Sequence, residues 1–389
     1  MPLTNRFADL LPEITAWRRD LHAHPELQFD VHRTAGLVAE RLREFGADEV
    51  VEGIGRTGVV GIIRGKNSDS DNVIGLRADM DALPILEATG VAHASQTEGS
   101  MHACGHDGHT AMLLGAAKYL CETRNFNGTV AVIFQPAEEG GGGGREMVND
   151  GMMDRFGIRQ VYGMHNMPGI EVGSFAIRPG PMMAAADLIS IVVTGKGGHA
   201  AMPHNGIDPT IAAAQIVLAL QTIVSRNVNP LESGVISITS FQSDTDAFNV
   251  IPQKVNLKGT VRTLSPDVQD LTEQRITEVV EHTARAMGAT AVLNYQRNYP
   301  VSINAEQQTG FAAGIAAKVV GADNVDADTQ PLMGAEDFSF MLNARPGAFI
   351  FMGNGNSAAL HHPEYDFNDD AIPYGCSYWV QLVEEAMPV

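Results

Sequence analysis

The sequence predicts an α/β fold in which a mainly parallel sheet, wrapped by helices, carries an inserted ferredoxin-like α+β domain. Short apolar runs bounded by turn residues alternate with helical patterns through about the first 180 residues, the signature of such a sheet. In the middle of the chain the strands change to strict apolar/polar alternation, as sheets wet on one side do. The buried-run pattern then returns before the C-terminus.

The buried strands are expected at 59–63, 73–76, 129–134 and 160–164, and the helices between them include 34–45 and 109–122. Near the C-terminus 348–352 reads as another buried strand and 372–387 as a closing helix. In the middle, 187–194 alternates with Ile189, Ile191 and Val193 on one face, and an apolar helix follows at 210–225. Segments 235–241 and 255–261 alternate again, Ser265 and Pro266 open a helix to about Met287, and 291–295 alternates last. That β-α-β-β-α-β order is the split ferredoxin-like unit. The chain therefore divides into 1–185, 186–300 and 301–389, the first and last parts forming one larger domain.

Composition limits what such a protein can do. With 26 Lys and Arg against 46 Asp and Glu, the formal charge is −20, which excludes nucleic acid and anionic membranes as partners because both need clustered cations. No segment approaches the roughly 20 apolar residues of a bilayer span, and the N-terminus lacks the apolar stretch of a secretory signal. Three cysteines, Cys104, Cys121 and Cys376, are an odd count without framework spacing, which fits a reducing compartment. A cytoplasmic location is expected.

Metal-binding side chains gather where the buried strands run out. In open α/β sheets ligands bind beyond the carboxyl ends of the strands. Strand 73–76 leads to Arg77, Asp79 and Asp81, strand 129–134 to Glu138 and Glu139, strand 160–164 to His165 and Asn166, and 348–352 to the loop with His361. Cys104 and His106 stand two apart beside Gly105 and Gly108, where a turn aims both at one ion. His102 and His109 compete with His106, but the intervening glycines disfavour a helical histidine pair. Thiolate, imidazole and carboxylate together make a hydrolytic metal centre.

Adjacent carboxylates point in different directions, so Glu139 can coordinate a cation while Glu138 accepts a proton from water and returns it to a leaving nitrogen. The five glycines at 140–144 lack the GxxxxGK[ST] pattern of a phosphate cradle; they are expected to let backbone approach the metal and to free the chain ahead of a helix at 145–150. Asp79, Asp81 and Asp107 are each candidates to accept a ligand imidazole's second N–H.

Ten segments resemble the amidohydrolase branch of peptidase family M20, the branch of hippurate hydrolases, N-acyl-amino-acid amidohydrolases and auxin-conjugate hydrolases. They are WRRDLHAHPEL (17–27), GLRADMDALPI (75–85), MHACGHDGHTAMLLGAA (101–117), FQPAEEGGGG (134–143), GMHN (163–166), GKGGHAAMPH (195–204), FNVIP (248–252), GTVRT (259–263), GAEDFS (334–339) and LHHPEYDFND (360–369). The resemblance implies that Cys104, His106, Glu139, His165 and His361 hold two divalent ions per subunit, with Glu138 as general base and Asp79 in the catalytic set. A thiolate among the ligands suits zinc, cobalt or nickel, and manganese is plausible in this branch. The insert is similar to the family's lid and dimerisation domain, so a homodimer or higher homo-oligomer is implied. In it His199, Asn249 and Arg262 match positions that reach substrate, Arg and Asn suiting a carboxylate and His199 a carbonyl oxygen gaining charge.

The expected activity is hydrolysis of the amide of a small N-acyl amino acid to a carboxylic acid and a free amino acid. A dipeptidase or aminopeptidase on the same scaffold is the rival enzyme, and a catalytically silent metal-dependent binding protein the rival of another class.

Overall fold

The computed structural model describes residues 5–67 and 70–389, which form two compact units. The first runs to Met182 and resumes over Ile303–Gln330 and Asp337–Val389; the second comprises Met183–Ser302 and Pro331–Glu336. The short return excursion was not foreseen. It joins the second unit because the Ala184 amide donates to the carbonyls of Leu332 and Gly334 at 3.1 and 2.8 Å.

The first unit opens with helices α1 (Arg6–Ala23) and α2 (His32–Phe45), then strands β1 (Glu49–Ile54), β2 (Gly58–Arg64) and β3 (Val73–Asp79). Helix α3 (His106–Thr123), strand β4 (Thr129–Gln135), helix α4 (Gly143–Asn149) and strand β5 (Gln160–Met167) follow. Leu10, Ile14, Trp17 and Leu21 lie at helical spacing on α1 and are all buried. Helix α3 is buried around nearly its whole circumference, and Cys121 on it and Cys376 on the helix Ile372–Ala386 are free thiols in the interior.

The eight-stranded sheet has the order β1, β2, β4, β3, β5, Gly347–Gly353, Phe175–Ala176, Val325–Asp326. Its four central strands are parallel: β3 pairs with β4 and β5, and β5 with Gly347–Gly353. Their residues are almost continuously apolar and buried, as strands covered on both faces must be. Because these strands run the same way, Asp79, Gln135, Met167 and Gly353 all end at one edge. Strands β3 and β5 run three residues beyond their predicted ends. Arg77, Asp79, His165 and Asn166 therefore stand on strands rather than in loops, held by ladders such as Phe351 opposite His165.

The second unit is an antiparallel sheet in the order Gly234–Ser243, Lys254–Thr263, Ala185–Thr194, Thr290–Tyr299. Helix Pro209–Arg226 is capped by Asp208, whose side chain accepts from the Thr210 amide at 2.8 Å, and helix Pro266–Ala286 follows Ser265. Both pack on one face through a core of Ile189, Ile191, Val193, Ile216, Leu220 and Ile276. Among the described residues, no helix is long and apolar enough to cross a membrane.

Candidate metal centre

Beyond β3, the buried Asp81 carboxylate accepts from the backbone amides of Glu138 and Glu139 at 2.9 and 3.1 Å. This fixes both glutamates although they lie in the turn after β4. Ala137, just before them, has φ 53°, and His361 has φ 65°. Left-handed backbone at alanine is uncommon and costs of order 1–3 kcal/mol, a strain that clusters at functional sites. The glycine run has a different task from the one expected. A Cβ at Gly143 would stand 1.7 Å from the Pro136 carbonyl oxygen, and the Gly144 amide donates to Asp337 at 2.8 Å. The close approach is to neighbouring backbone and Asp337, and α4 begins within the run.

Helix α3 begins at His106, three residues before the expected start, because Gly105 at φ 87° turns the chain into it. His106 and His109 thus share its first turn, but only His106 is free to ligate. His109 Nδ1 meets Asp79 Oδ1 at 2.7 Å, and its Nε2 accepts from the Asn166 amide at 2.9 Å. His106 Nδ1 donates to the Asp81 backbone carbonyl at 2.8 Å, leaving a buried Nε2 with no hydrogen-bond partner among the described residues. The residue that orients it is Asp81, one of the three expected acids, through its main-chain oxygen, with the Asp81 carboxylate 3.6 Å from His106 Nδ1. His165 likewise turns Nδ1 to the Asn166 carbonyl at 2.5 Å and Nε2 to Cys104 Sγ at 3.3 Å. His361 is tied by its amide to the Ala103 carbonyl at 2.8 Å, and its Nε2 is 3.3 Å from Glu139 Oε1.

Of the five groups among the described residues whose ligand atoms lie within 4.8 Å of one another, three join the expected residues: Cys104, His106 and His165; Cys104, Glu139 and His361; His106, Glu138 and Glu139. All five expected ligands and Glu138 are thus brought together, with Cys104 common to two groups. His106 Nε2 lies 3.6 Å from Asp79 Oδ2 and 4.0 Å from Glu139 Oε1, too far to hydrogen-bond but suited to a shared cation. The electrostatics agree. Burial opposes charge on His106, yet Asp79, Asp81 and Glu139 raise its pKa to about 10, so the surroundings demand positive charge. Burial drives the His165 pKa well down, so that imidazole stays neutral. Glu139, despite burial, is held below the usual carboxylate range by the His361 imidazole beside it. Sulfur, nitrogen and oxygen donors at this spacing fit divalent transition metals.

Asp79 is fully buried, and burial alone would protonate it. The charges of His106, Arg77 and His109 outweigh that and hold its pKa well below the usual range. Arg77 donates to Asp79 at 2.7 Å, Gln135 at 2.9 Å and Asp337 at 3.1 Å. Neither Arg77 nor Asp337 was given a role from sequence, although both lie in the segments GLRADMDALPI and GAEDFS. Behind α3, Asp107 pairs with buried Arg18 at 2.9 Å and with His22 at 2.8 Å, both from α1. Their signal was the charge-rich WRRDLHAHPEL within an apolar helical pattern.

The remaining expected residues lie in the second unit. His199 is exposed on a two-residue strand opposite Val250, beside exposed Asn249, whose carbonyl accepts from the Ala200 amide at 3.0 Å. Half-buried Arg262 donates to Thr260 Oγ1 at 2.5 Å and the Val261 carbonyl at 3.3 Å, and burial lowers its pKa.

Residues 75–385 match the model of Peptidase family M20/M25/M40. The chain belongs to this family. It is a metal-dependent amide hydrolase with a mainly parallel catalytic sheet. Over 382 residues, covering 98% of each chain, it is 44% identical to the hippurate hydrolase of Campylobacter jejuni. It is 39% identical over 372 residues, 94% of each chain, to the N-acetylcysteine deacetylase of Bacillus subtilis. A solved structure of a Bacillus subtilis protein described as a dinuclear metal binding peptidase from the M20 family superposes with a TM-score of 0.84 at 35% identity, covering 98% of this chain and 99% of that one.

Proposed function

We propose that this hydrolase cleaves the amide bond of N-acyl amino acids such as N-benzoylglycine, releasing a carboxylic acid and a free amino acid. The observation that carries this is the placement of Glu138: buried, within 4.8 Å of His106 and Glu139, and fixed by its backbone on Asp81. Similarity to the hippurate hydrolase and the N-acetylcysteine deacetylase supports the substrate class.

Two divalent ions are assigned to Cys104, His106, Glu139, His165 and His361, with manganese, zinc, cobalt or nickel the candidate metals. When bound, they would polarise the acyl carbonyl and lower the pKa of water to about 7. Glu138 takes the proton from the attacking water and delivers it to the leaving nitrogen as the C–N bond breaks. Asp79 and Asp81 keep the ligand shell negative and oriented. Arg262 and Asn249 are assigned to the substrate α-carboxylate and His199 to the carbonyl oxygen, on the family resemblance and the chemistry of their side chains. A homodimer in a reducing cytoplasm completes the reading, resting on the same resemblance and the cysteine usage.

The test compares N-benzoylglycine with glycylglycine, using protein supplied with manganese, zinc or cobalt. Cleavage of the first is expected; turnover of the dipeptide alone would replace this reading with a dipeptidase.

A further inference from the structure

Directly after His165, Asn166 is fully buried and its side-chain amide is saturated. Its Nδ2 donates to the Cys104 carbonyl at 2.6 Å and to His109 Nε2 at 3.0 Å, while its Oδ1 accepts from the Tyr365 hydroxyl at 2.6 Å. Its backbone carbonyl accepts from His165 Nδ1 at 2.5 Å, which is what leaves His165 Nε2 facing Cys104 Sγ. One residue therefore touches the main chain of one metal ligand and sets the tautomer of a second.

Tyr365 extends this to a third. It lies four residues after His361 in the same loop, is fully buried, and burial raises its pKa well above the ordinary value, so its hydroxyl stays a donor. The same loop is tied to the cysteine turn by the His361 amide. Gly105 shows how tightly the three segments meet: a Cβ there would stand 2.2 Å from Asn166 Nδ2 and 2.5 Å from the Tyr365 hydroxyl. The segments come from the start of α3, the end of β5 and the loop after Gly347–Gly353, and they share no continuous backbone.

We propose that Asn166 and Tyr365 are positioning residues of the metal centre, a buried brace that locks the segments carrying Cys104, His165 and His361 at ligand spacing. The proposal rests on reading those residues as metal ligands. Groups that orient ligands without touching the ion commonly change metal affinity 10–100-fold when removed. Tyr365→Phe deletes one hydroxyl and keeps the packing, leaving Asn166 Oδ1 without that donor and the His361 loop untied from it. Asn166→Ala removes the side-chain bonds to Cys104, His109 and Tyr365 while keeping the backbone bond to His165, and gives a second variant should either fail to fold.

The experiment measures Co2+ affinity by chelator competition, the thiolate-to-cobalt charge-transfer absorption, and melting of the metal-free protein. Tyr162→Phe is the control, since Tyr162 is an equally buried tyrosine on β5 whose hydroxyl, among the described residues, bonds Gln160 alone, at 2.9 Å. We expect Tyr365→Phe to weaken Co2+ binding roughly 10- to 100-fold and to alter the thiolate band, with metal-free melting near wild type and Tyr162→Phe unchanged. Wild-type affinity and absorption in Tyr365→Phe and Asn166→Ala would overturn the proposal, as would an equal loss in Tyr162→Phe. Absence of any thiolate band in the wild type would instead remove the ligand reading beneath it.

Discussion

At the level of single residues, the proposed hydrolysis depends on Glu138 acting as a base and not as a ligand. Its neighbour Glu139 faces His361 at 3.3 Å, while Asp81 holds both backbones from beneath. Glu138→Gln keeps shape and removes the proton acceptor. Turnover of N-benzoylglycine is expected to fall by about 10²- to 10⁴-fold, the usual contribution of a general base, with bound metal per subunit unchanged. Metal analysis alongside steady-state kinetics checks this, and loss of metal in parallel with activity would make Glu138 a ligand. The residue scale is also where sequence was most informative. The five candidate ligands, Cys104, His106, Glu139, His165 and His361, were legible because their residue types stand at strand ends or in a glycine-flanked turn, and because the family resemblance selects them. Tyr365 and Asp337 could not, because their roles arise only when segments 199 and 260 residues apart meet.

At the scale of elements, two buried ion networks hold the centre from opposite sides. On the sheet side Arg77 of β3 neutralises Asp79 and Asp337. Arg77→Met leaves both carboxylates buried without that partner, and the metal-free protein is expected to lose about 3–5 kcal/mol, read from its urea midpoint. On the helix side α1 clamps α3 through Arg18, His22 and Asp107, and His22 also reaches Glu87 at 3.3 Å. Burial disfavours charge on His22, but the bonds to Asp107 and Glu87 raise its pKa to about 9 from an ordinary 6.5. Glu87, despite burial, is lowered by His22 to about 2 from 4.5. The signs follow from linkage. The His22 contribution is complete below pH 6.5 and is lost as the pH rises through about 9, whereas that of Glu87 is complete above 4.5 and lost as it falls through about 2. Melting of the wild type and of His22→Gln should therefore differ most between pH 4.5 and 6.5 and converge above about 9. A gap that stays constant to pH 10 would show that His22 acts by packing alone. The start of α3 illustrates what periodicity misses: Gly105 and Gly108 suggested a loose turn, yet Gly105 at φ 87° launches the helix at His106.

At the scale of the whole molecule, the parallel order of β4, β3, β5 and Gly347–Gly353 makes one edge of the sheet the meeting place for side chains spread over most of the sequence. Alternation in the middle segment and buried runs on either side made both sheets legible. The return of Pro331–Glu336 to the second unit was not, since it depends on backbone bonds to Ala184 that no side-chain pattern announces. The substrate contacts proposed for that unit are testable by kinetics. Arg262→Ala should raise KM for N-benzoylglycine more than it lowers kcat, because an arginine–carboxylate pair binds substrate and transition state alike.

Five side chains from four distant segments are proposed to form one dinuclear centre around Cys104. Anomalous scattering at the zinc edge from crystals of zinc-loaded protein tests it most directly. Two peaks are expected on either side of Cys104 Sγ, one bonded to His106 or His165 and the other to Glu139 or His361. Peaks away from these residues, or a fully loaded protein with none within bonding distance of Cys104, would contradict it.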